Sequence, residues 1–134
     1  MSAHILIVED NAANLELMEY LLRAFGYTVL AARDGREGVE TALRERPDLI
    51  LMDLQLPVVT GVEAVRQIRE RWTPPRPSII AVTAFAMVGD RERVLAEGFD
   101  GYLSKPITPQ TFVTEIEAHL APALRAQRPG GERA

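Results

Sequence analysis

The stretch Leu49-Ile50-Leu51-Met52-Asp53 joins four consecutive large apolar residues directly to a carboxylate. A short uninterrupted apolar run of this kind is typical of a strand that is buried on both faces of a parallel sheet. Ile5 to Val8 and Ile79 to Val82 have the same character. Thr28 to Ala32 and Gly101 to Leu103 predict shorter or edge strands. The sequence therefore predicts five strands.

Amphipathic stretches separate the predicted strands, with apolar residues spaced so that they share one helical face. Alternating strands and helices indicate an α/β fold, here a doubly wound (βα)5 parallel sheet covered on both sides. The fifth helix is predicted to open near Thr108 and Pro109. The predicted buried positions are Leu15, Met18, Leu22 and Phe25; Val39, Ala42 and Leu43; Val62, Val65 and Ile68; Val94 and Leu95; and Phe112, Ile116 and Leu120.

The chain has 134 residues, which fits one compact domain of common size. We expect this domain to occupy residues 1–124 and a flexible C-terminal tail to occupy residues 125–134. With 47% hydrophobic and 25% charged residues, a packed core can form without disulfide bonds or a structural metal. The absence of cysteine excludes a thiolate nucleophile and a Cys-ligated zinc site.

The charge and hydropathy patterns bear on location and partners. The net charge is -4, which opposes nonspecific attraction to nucleic acid, so direct nucleic-acid binding is not expected. The sequence carries neither a signal-peptide pattern nor an apolar run of about 18 residues, the length that a membrane span needs. Membrane insertion is therefore not expected, and a cytoplasmic location is the default expectation.

Polar side chains follow four of the five predicted strands. The first strand ends in Glu9-Asp10, the third in Asp53, the fourth in Thr83 and the fifth in Ser104-Lys105. In a doubly wound sheet, ligands bind beyond the carboxyl ends of the strands, where the winding direction switches. We therefore expect these groups to converge on one crevice.

This set of side chains predicts a particular chemistry. Three nearby carboxylates repel one another, so the cluster requires a cation or raises a pKa. Oxygen ligands without His or Cys favour Mg2+, which keeps several waters and binds together with phosphate. A carboxylate can attack phosphorus to form an acyl phosphate while a lysine neutralises the phosphoryl oxygens. Asp53 is the predicted nucleophile, and Lys105 is the predicted partner of the phosphoryl group.

The chain resembles the receiver domains of two-component response regulators over about residues 4 to 124. The segment from Val82 to Asp90, together with Ser104-Lys105-Pro106-Ile107, is most similar to DivK-type stand-alone receivers. The resemblance implies a CheY-like sheet with the strand order 2-1-3-4-5. The segments that carry it are Val8-Glu9-Asp10-Asn11, Met52-Asp53-Leu54-Gln55-Leu56-Pro57 with Gly61, Val82-Thr83-Ala84 and Tyr102-Leu103-Ser104-Lys105-Pro106.

The resemblance also implies roles for individual metal-site residues. Asp10 and Asp53 would ligate Mg2+ directly, Glu9 would act largely through water, and the Gln55 backbone carbonyl would supply a further ligand. Asp53 would receive the phosphoryl group and Lys105 would pair with its oxygens.

Two further residues would report phosphorylation. The resemblance implies that Thr83 moves in to hydrogen-bond the phosphoryl group and that Tyr102 swings inward behind it. It also implies a cis Lys105-Pro106 bond. Phe85 occupies a position that influences hydrolysis in receivers, and we hypothesise that it shields the site and lengthens the phosphorylated lifetime.

The implied function is a single-domain response regulator rather than an enzyme. A histidine kinase or histidine phosphotransfer protein would donate the phosphoryl group, docking near the first helix and the loop after Lys105. A downstream protein would read the face formed by the fourth helix, fifth strand and fifth helix. A homodimer through that face or through the first helix is compatible with the resemblance.

Two alternatives stay open. An aspartate-based Mg2+ phosphohydrolase uses a D-x-D pattern whose second aspartate is the acid/base, and Gln55 occupies that position here. A phosphorylation-independent adaptor is the other alternative, although an intact acceptor cluster argues against it.

Overall fold

The computed structural model of the protein describes residues 3–84 and 90–126. Strands and helices alternate along these residues in the predicted order. The strands are β1 (His4–Val8), β2 (Thr28–Ala32), β3 (Leu49–Asp53), β4 (Ser78–Thr83) and β5 (Gly101–Ser104). The helices are α1 (Ala12–Ala24), α2 (Gly35–Glu45), α3 (Gly61–Arg71), α4 (Asp90–Ala96) and α5 (Phe112–Glu117), followed by a 3-10 turn at Pro122–Leu124.

All five strands are parallel and form one sheet in the order β2-β1-β3-β4-β5, which confirms the predicted (βα)5 doubly wound fold. The chain winds from β1 outward to β2, then crosses to β3 and winds the other way. The switch point therefore lies between β1 and β3, where Val8 is in register with Met52. Residues that follow these two strands must meet at one edge of the sheet.

The core has two layers, one on each face of the sheet. Successive strand residues point to opposite faces, so Ile5 and Ile7 pack with α1 and α5, whereas Leu6 and Val8 pack with α2 and α3. All four side chains are buried. The helices hold the central strands between them, and the ends of those strands are consequently well-defined positions for a site.

Three helices begin with a side-chain cap directly beyond the strand edge that carries the predicted site. The side-chain oxygens of Asn11, Asp34 and Thr60 accept hydrogen bonds from the amides of Asn14, Glu37 and Glu63 at 2.9, 2.8 and 3.2 Å. A cap of this kind stabilises a helix by about 1 kcal/mol. The caps fix where the loops after β1, β2 and β3 turn back into helices.

Three local predictions were wrong. Leu95 was predicted on the buried face of α4 but is 36% exposed, because consecutive helical residues point about 100° apart and the neighbouring Val94 takes the buried position. Phe25 is 39% exposed and is not on the buried face of α1, because the helix ends at Ala24 and the positive φ of Gly26 (91°) turns the chain away. The fifth helix begins at Phe112 rather than near Thr108, because the Thr108 carbonyl accepts from the amides of both Thr111 and Phe112 in a preceding turn.

Several predicted features fall outside the described residues. These are the proposed shielding by Phe85 and the tail from residue 127 onward. The first two residues of the predicted tail contact the domain, since Arg125 Nε donates to the Leu120 carbonyl at 3.2 Å and the Ala126 amide donates to the Tyr27 hydroxyl at 2.8 Å. Across residues 3–84 and 90–126, every helix falls short of the length and hydropathy that crossing a bilayer demands.

Val58 is a strained position in the loop after β3. This β-branched residue has a φ of 70° and is 67% exposed. A left-handed conformation costs an L-residue roughly 1–2 kcal/mol, and asparagine tolerates it better than valine. We expect Val58→Asn to raise the free energy of unfolding by about 1 kcal/mol, measured by urea denaturation. An unchanged or lowered midpoint would contradict this assignment of strain.

Candidate functional site

The acidic side chains predicted from the strand ends converge at the switch point. Glu9 and Asp10 directly follow β1, and Asp53 is the last residue of β3. One carboxylate oxygen from each lies within 4.8 Å of the others. Glu9 and Asp53 are buried, at 1% and 5% exposure, whereas Asp10 is exposed. The cluster therefore has a buried base and an open rim.

The two oxygens of Asp53 have different partners. Oδ1 accepts a hydrogen bond from the Gln55 amide at 3.0 Å, and Oδ2 accepts one from Lys105 Nζ at 3.0 Å. These contacts fix the rotation of the carboxylate, so its orientation is set before any ligand arrives. Such preorganisation lowers the cost of bringing a reacting group into line.

Glu9 forms the buried end of the cluster. Its Oε2 accepts hydrogen bonds from the Asn11 amide at 3.2 Å and from Lys105 Nζ at 3.3 Å, and its Oε1 lies 3.0 Å from the same Nζ. Burial raises the pKa of the Glu9 carboxyl; the Lys105 hydrogen bond opposes this shift, and the Asp53 charge adds to it. Ionising Glu9 therefore costs more free energy in the folded protein than in the unfolded chain.

Lys105 is the only lysine among the 15 Lys and Arg residues of the chain. Burial acts to lower the pKa of its ammonium, but hydrogen bonds and charge from Glu9 and Asp53 outweigh burial and raise that pKa. The ammonium therefore stays charged. The Lys105 amide donates to the Thr83 carbonyl at 2.8 Å, and the Lys105-Pro106 bond is cis, as predicted.

The remaining predicted residues lie at or beside the same edge. Thr83 ends β4 and is 1% exposed, in register with Ser104 of β5. Tyr102 lies two residues before Ser104 and packs, half-buried, with the core layer of α2 and α3. Gln55 is exposed, and its backbone amide contacts the cluster by donating a hydrogen bond to Asp53. The structure thus brings together the three acids and Lys105, with Thr83 on the neighbouring strand.

The donor set fits a hard divalent cation. Three carboxylates face one ammonium, which leaves a formal charge of -2 when all four groups are ionised. Oxygen donors of this charge, without His or Cys, suit Mg2+. The exposed Asp10 leaves the cluster open to solvent on one side.

Sequence reasoning missed one residue beside the cluster. Arg33 directly follows β2, and its Nη2 donates to the Asp10 carbonyl oxygen at 3.4 Å. The rule that located the acids was to examine the residue after each buried strand. The same rule, applied to Thr28–Ala32, would have located Arg33.

Gly61 allows the acceptor strand to pack against α3. Its amide donates to the Leu54 carbonyl at 3.1 Å, and an added Cβ would overlap the Asp53 carbonyl oxygen and lie 2.8 Å from Leu54 Cα. We expect Gly61→Ala to lower the free energy of unfolding by about 2 kcal/mol and to displace Asp53. Urea denaturation and Mg2+ titration measure the two effects.

Gly26→Ala is the control for Gly61→Ala. Gly26 has a positive φ of 91° but no atom within 4 Å of an added Cβ, and it lies at the far end of α1 from the acids. It should lose stability through strain and keep its Mg2+ affinity. Equal Mg2+ affinity in both variants would contradict a positioning role for Gly61.

Known proteins are similar to this chain in sequence and in fold. A family model, response regulator receiver domain, matches residues 5–117. The polar-differentiation response regulator DivK of Brucella anthropi is 42% identical over 123 residues, covering 92% of this chain and 100% of that protein. The DivK of Brucella ovis matches to the same extent.

Solved structures agree with this match. The receiver domain of a sensor histidine kinase from Pseudomonas aeruginosa PAO1, crystallised with a magnesium ion coordinated in its active-site cleft, is 41% identical. It superposes with a TM-score of 0.80 and covers 89% of this chain and 98% of that one. The chemotaxis response regulator CheY4 of Vibrio cholerae is 30% identical, with a TM-score of 0.83, covering 90% and 100%. With the convergent acids and Lys105, these matches establish that the chain belongs to the response regulator receiver domain family.

Proposed function

We propose that the protein is a single-domain response regulator whose Asp53 accepts a phosphoryl group, with Mg2+ as cofactor, in a two-component phosphorelay. The donor is a histidine kinase or a histidine phosphotransfer protein. The observation that carries this proposal is the position of Lys105 Nζ, which lies 3.0 Å from both Asp53 Oδ2 and Glu9 Oε1. One ammonium thereby bridges the proposed acceptor and the proposed metal site.

The acid cluster supplies the metal ligands in this proposal. Asp10 and Asp53 would bind Mg2+ directly, Glu9 would act largely through water, and the Gln55 carbonyl oxygen would add a ligand. Mg2+, when bound, neutralises charge on the transferring phosphoryl group. The magnesium ion in the cleft of the Pseudomonas aeruginosa receiver supports this assignment, as does the spacing of the three carboxylates within 4.8 Å.

Asp53 is the nucleophile in the transfer. A carboxylate oxygen of Asp53 forms a bond to phosphorus as the bond from phosphorus to the donor's imidazole nitrogen breaks, and the nitrogen keeps that electron pair. The Gln55 amide holds the other carboxylate oxygen and thereby orients the attacking one. Lys105 pairs with the Asp53 carboxylate before transfer. During transfer it pairs with the phosphoryl oxygens and stabilises their negative charge.

Thr83 and Tyr102 are the proposed readout. Thr83 ends the strand beside β3, so a small movement brings its hydroxyl toward a phosphoryl group on Asp53. Tyr102 is half-buried on β5 and moves inward behind it, which changes the surface of α4, β5 and α5. A groove of about 480 Å³ on this side includes Tyr102, Lys105 and Glu115 in its lining. A downstream protein binds this altered surface.

A phosphohydrolase is the second candidate function, and the site disfavours it. Position 55, where such enzymes carry a second aspartate, holds a glutamine whose observed contact with Asp53 is through its backbone amide. The side chain supplies no acid/base group for rapid turnover. A phosphorylation-independent adaptor would have no use for the preorganised carboxylates.

One experiment separates these functions. The protein is incubated with Mg2+ and a small acyl phosphate, and intact mass is followed with time. A receiver gains one phosphoryl group and then loses it slowly, and omission of Mg2+ prevents the gain. Rapid release of phosphate from unrelated phosphoesters would identify an enzyme, whereas no label from a small donor or from any kinase would identify an adaptor.

The buried charge of Glu9 predicts opposite effects on stability and on metal binding. Its folded-state pKa is raised, so the penalty for its charge is absent below the unfolded-state pKa and appears as pH rises through the folded-state pKa. In EDTA at pH 7.5, we expect Glu9→Gln to be more stable than wild type by on the order of 1 kcal/mol. Urea denaturation at several pH values measures this difference, which should shrink as pH falls.

Mg2+ should reverse that order. Wild type gains about 2.7 kcal/mol at a Mg2+ concentration 100 times its Kd, whereas Glu9→Gln gains less at the same concentration. Glu40→Gln, which removes one exposed carboxylate from α2, is the charge-matched control and should change neither quantity. A Glu9→Gln protein that is less stable than wild type in EDTA contradicts the charge penalty.

A further inference from the structure

Arg33 lies on the rim of the acid cluster, beside Asp10. Its guanidinium donates to the neutral carbonyl oxygen of Asp10 at 3.4 Å. Among residues 3–84 and 90–126, no carboxylate lies within ion-pair distance of this guanidinium. The side chain is exposed, so a ligand that approaches the cluster from solvent can reach it.

The backbone of Arg33 is held firmly beside β1. The Ala32 carbonyl accepts from the Glu9 amide at 3.0 Å, which ties the end of β2 to the start of the acid cluster. On the other side, Asp34 caps α2 by accepting from the Glu37 amide at 2.8 Å, while Glu37 Oε1 accepts from the Arg33 amide at 2.8 Å. These two hydrogen bonds, which resemble a capping box, fix the Arg33 backbone between the strand and the helix.

The negative charge of the acid cluster gives the Arg33 guanidinium a role. The cluster has a formal charge of -2, and a phosphoryl donor is itself an anion, so the two repel at a distance. Lys105 is engaged by Glu9 and Asp53 at the base of the site and is only 14% exposed. Arg33 is outside that pairing and faces solvent. Guanidinium groups bind phosphate oxygens well because their donors form a planar fork.

We propose that Arg33 is a donor-binding residue, which engages the phosphoryl group of the incoming donor at the rim and so raises the rate of transfer to Asp53. This inference rests on the proposed function of Asp53. It concerns approach of the donor, whereas Lys105 acts on the group as it transfers.

A purely structural role for Arg33 makes a different prediction. If its hydrogen bond merely braces the Asp10 carbonyl, removing it loosens Asp10 and weakens Mg2+ binding. If Arg33 acts through its charge toward the donor, removing it slows phosphorylation but leaves Mg2+ binding equal or slightly tighter, because one nearby positive charge is gone. The structural role therefore predicts weaker Mg2+ binding, and the charge role predicts Mg2+ binding that is no weaker than in wild type.

The test uses the full chain, with Arg33→Gln, Arg33→Lys and Arg33→Glu compared with wild type. Arg44→Gln is the matched control, since it removes the same charge at the opposite end of α2. Labelling by a small acyl phosphate is followed by intact mass at fixed saturating Mg2+, at donor concentrations where the rate is proportional to donor. The Mg2+ affinity of each variant is measured separately by calorimetry without donor.

We expect Arg33→Gln to lower the second-order labelling rate roughly two- to fivefold at low ionic strength, Arg33→Glu to lower it further, and Arg33→Lys to retain most of it. The difference between wild type and Arg33→Gln should vanish near about 1 M salt, where the Debye length is about 3 Å. Arg44→Gln should match wild type throughout.

Two results would overturn the inference. One is equal labelling rates in wild type and Arg33→Gln at low salt, and the other is a rate loss that persists at high salt together with weaker Mg2+ binding. In either case wild type still labels at Asp53, so the proposed function stands. Failure of the wild-type protein to take up any label would instead overturn the proposed function.

Discussion

Asp53→Asn is expected to abolish phosphoryl labelling, lowering the rate by at least about 10³-fold. The amide has no carboxylate oxygen with which to form an acyl phosphate, although its size and shape are nearly those of aspartate. Its side-chain oxygen can still accept a hydrogen bond from the Gln55 backbone amide. In the native protein this hydrogen bond, 3.0 Å long, orients the Asp53 carboxylate. Intact mass after incubation with Mg2+ and a small acyl phosphate measures the loss.

Glu40→Gln is the control for this substitution, because it also converts one carboxylate to an amide but lies exposed on α2. It should label at the wild-type rate. Peptide mapping of labelled wild-type protein should place the phosphoryl group on Asp53. Stoichiometric labelling of Asp53→Asn at the wild-type rate would show that another residue is the acceptor.

Lys105→Met is expected to separate metal binding from phosphoryl transfer. The thioether keeps the length of the side chain but removes the charge that lies 3.0 Å from Asp53 Oδ2. Loss of one preorganised electrostatic partner of this kind costs about 10²-fold in rate. The Mg2+ affinity should rise, because the carboxylates lose a competing cation. Labelling kinetics and calorimetric Mg2+ titration measure the two effects.

Lys105→Arg is the control that keeps the positive charge but changes the shape of the charged group. A guanidinium is planar and larger than an ammonium, so it cannot occupy the point between Glu9 and Asp53 with the same distances. We expect an intermediate labelling rate. A Lys105→Met protein that labels as fast as wild type would exclude a role for this ammonium in transfer.

The acid cluster carries a cost in stability in the metal-free protein. Buried Glu9 and Asp53 share one ammonium, and the raised pKa of Glu9 reports the cost of that arrangement without metal. A sequence selected for stability alone would replace one of these acids. A bound cation would offset this cost by neutralising the carboxylates.

The strands and their order of appearance were predictable from sequence because buried parallel strands are continuous apolar runs. Leu49–Asp53 shows this clearly, since every residue in the strand is buried and the run ends at the site. The convergence of Glu9 and Asp53 also followed from topology, because parallel strands beside a switch point end at the same edge. Phe25 was predicted wrongly because helical periodicity does not mark where a helix ends. The start of α5 was predicted wrongly because Thr108 and Pro109 lie in a turn that precedes the helix.

Sequence by itself determined which chemical groups are present: oxygen donors without thiols, a single lysine, and a glutamine where a phosphohydrolase carries an acid. Tertiary structure alone decided which of these groups hydrogen-bond to one another. Lys105 bridges Glu9 and Asp53, 96 and 52 positions away along the chain, and Arg33 reaches the Asp10 carbonyl across the β1–β2 edge. Composition carries no distances, and only the packing of helices on both faces brings these atoms within hydrogen-bonding range.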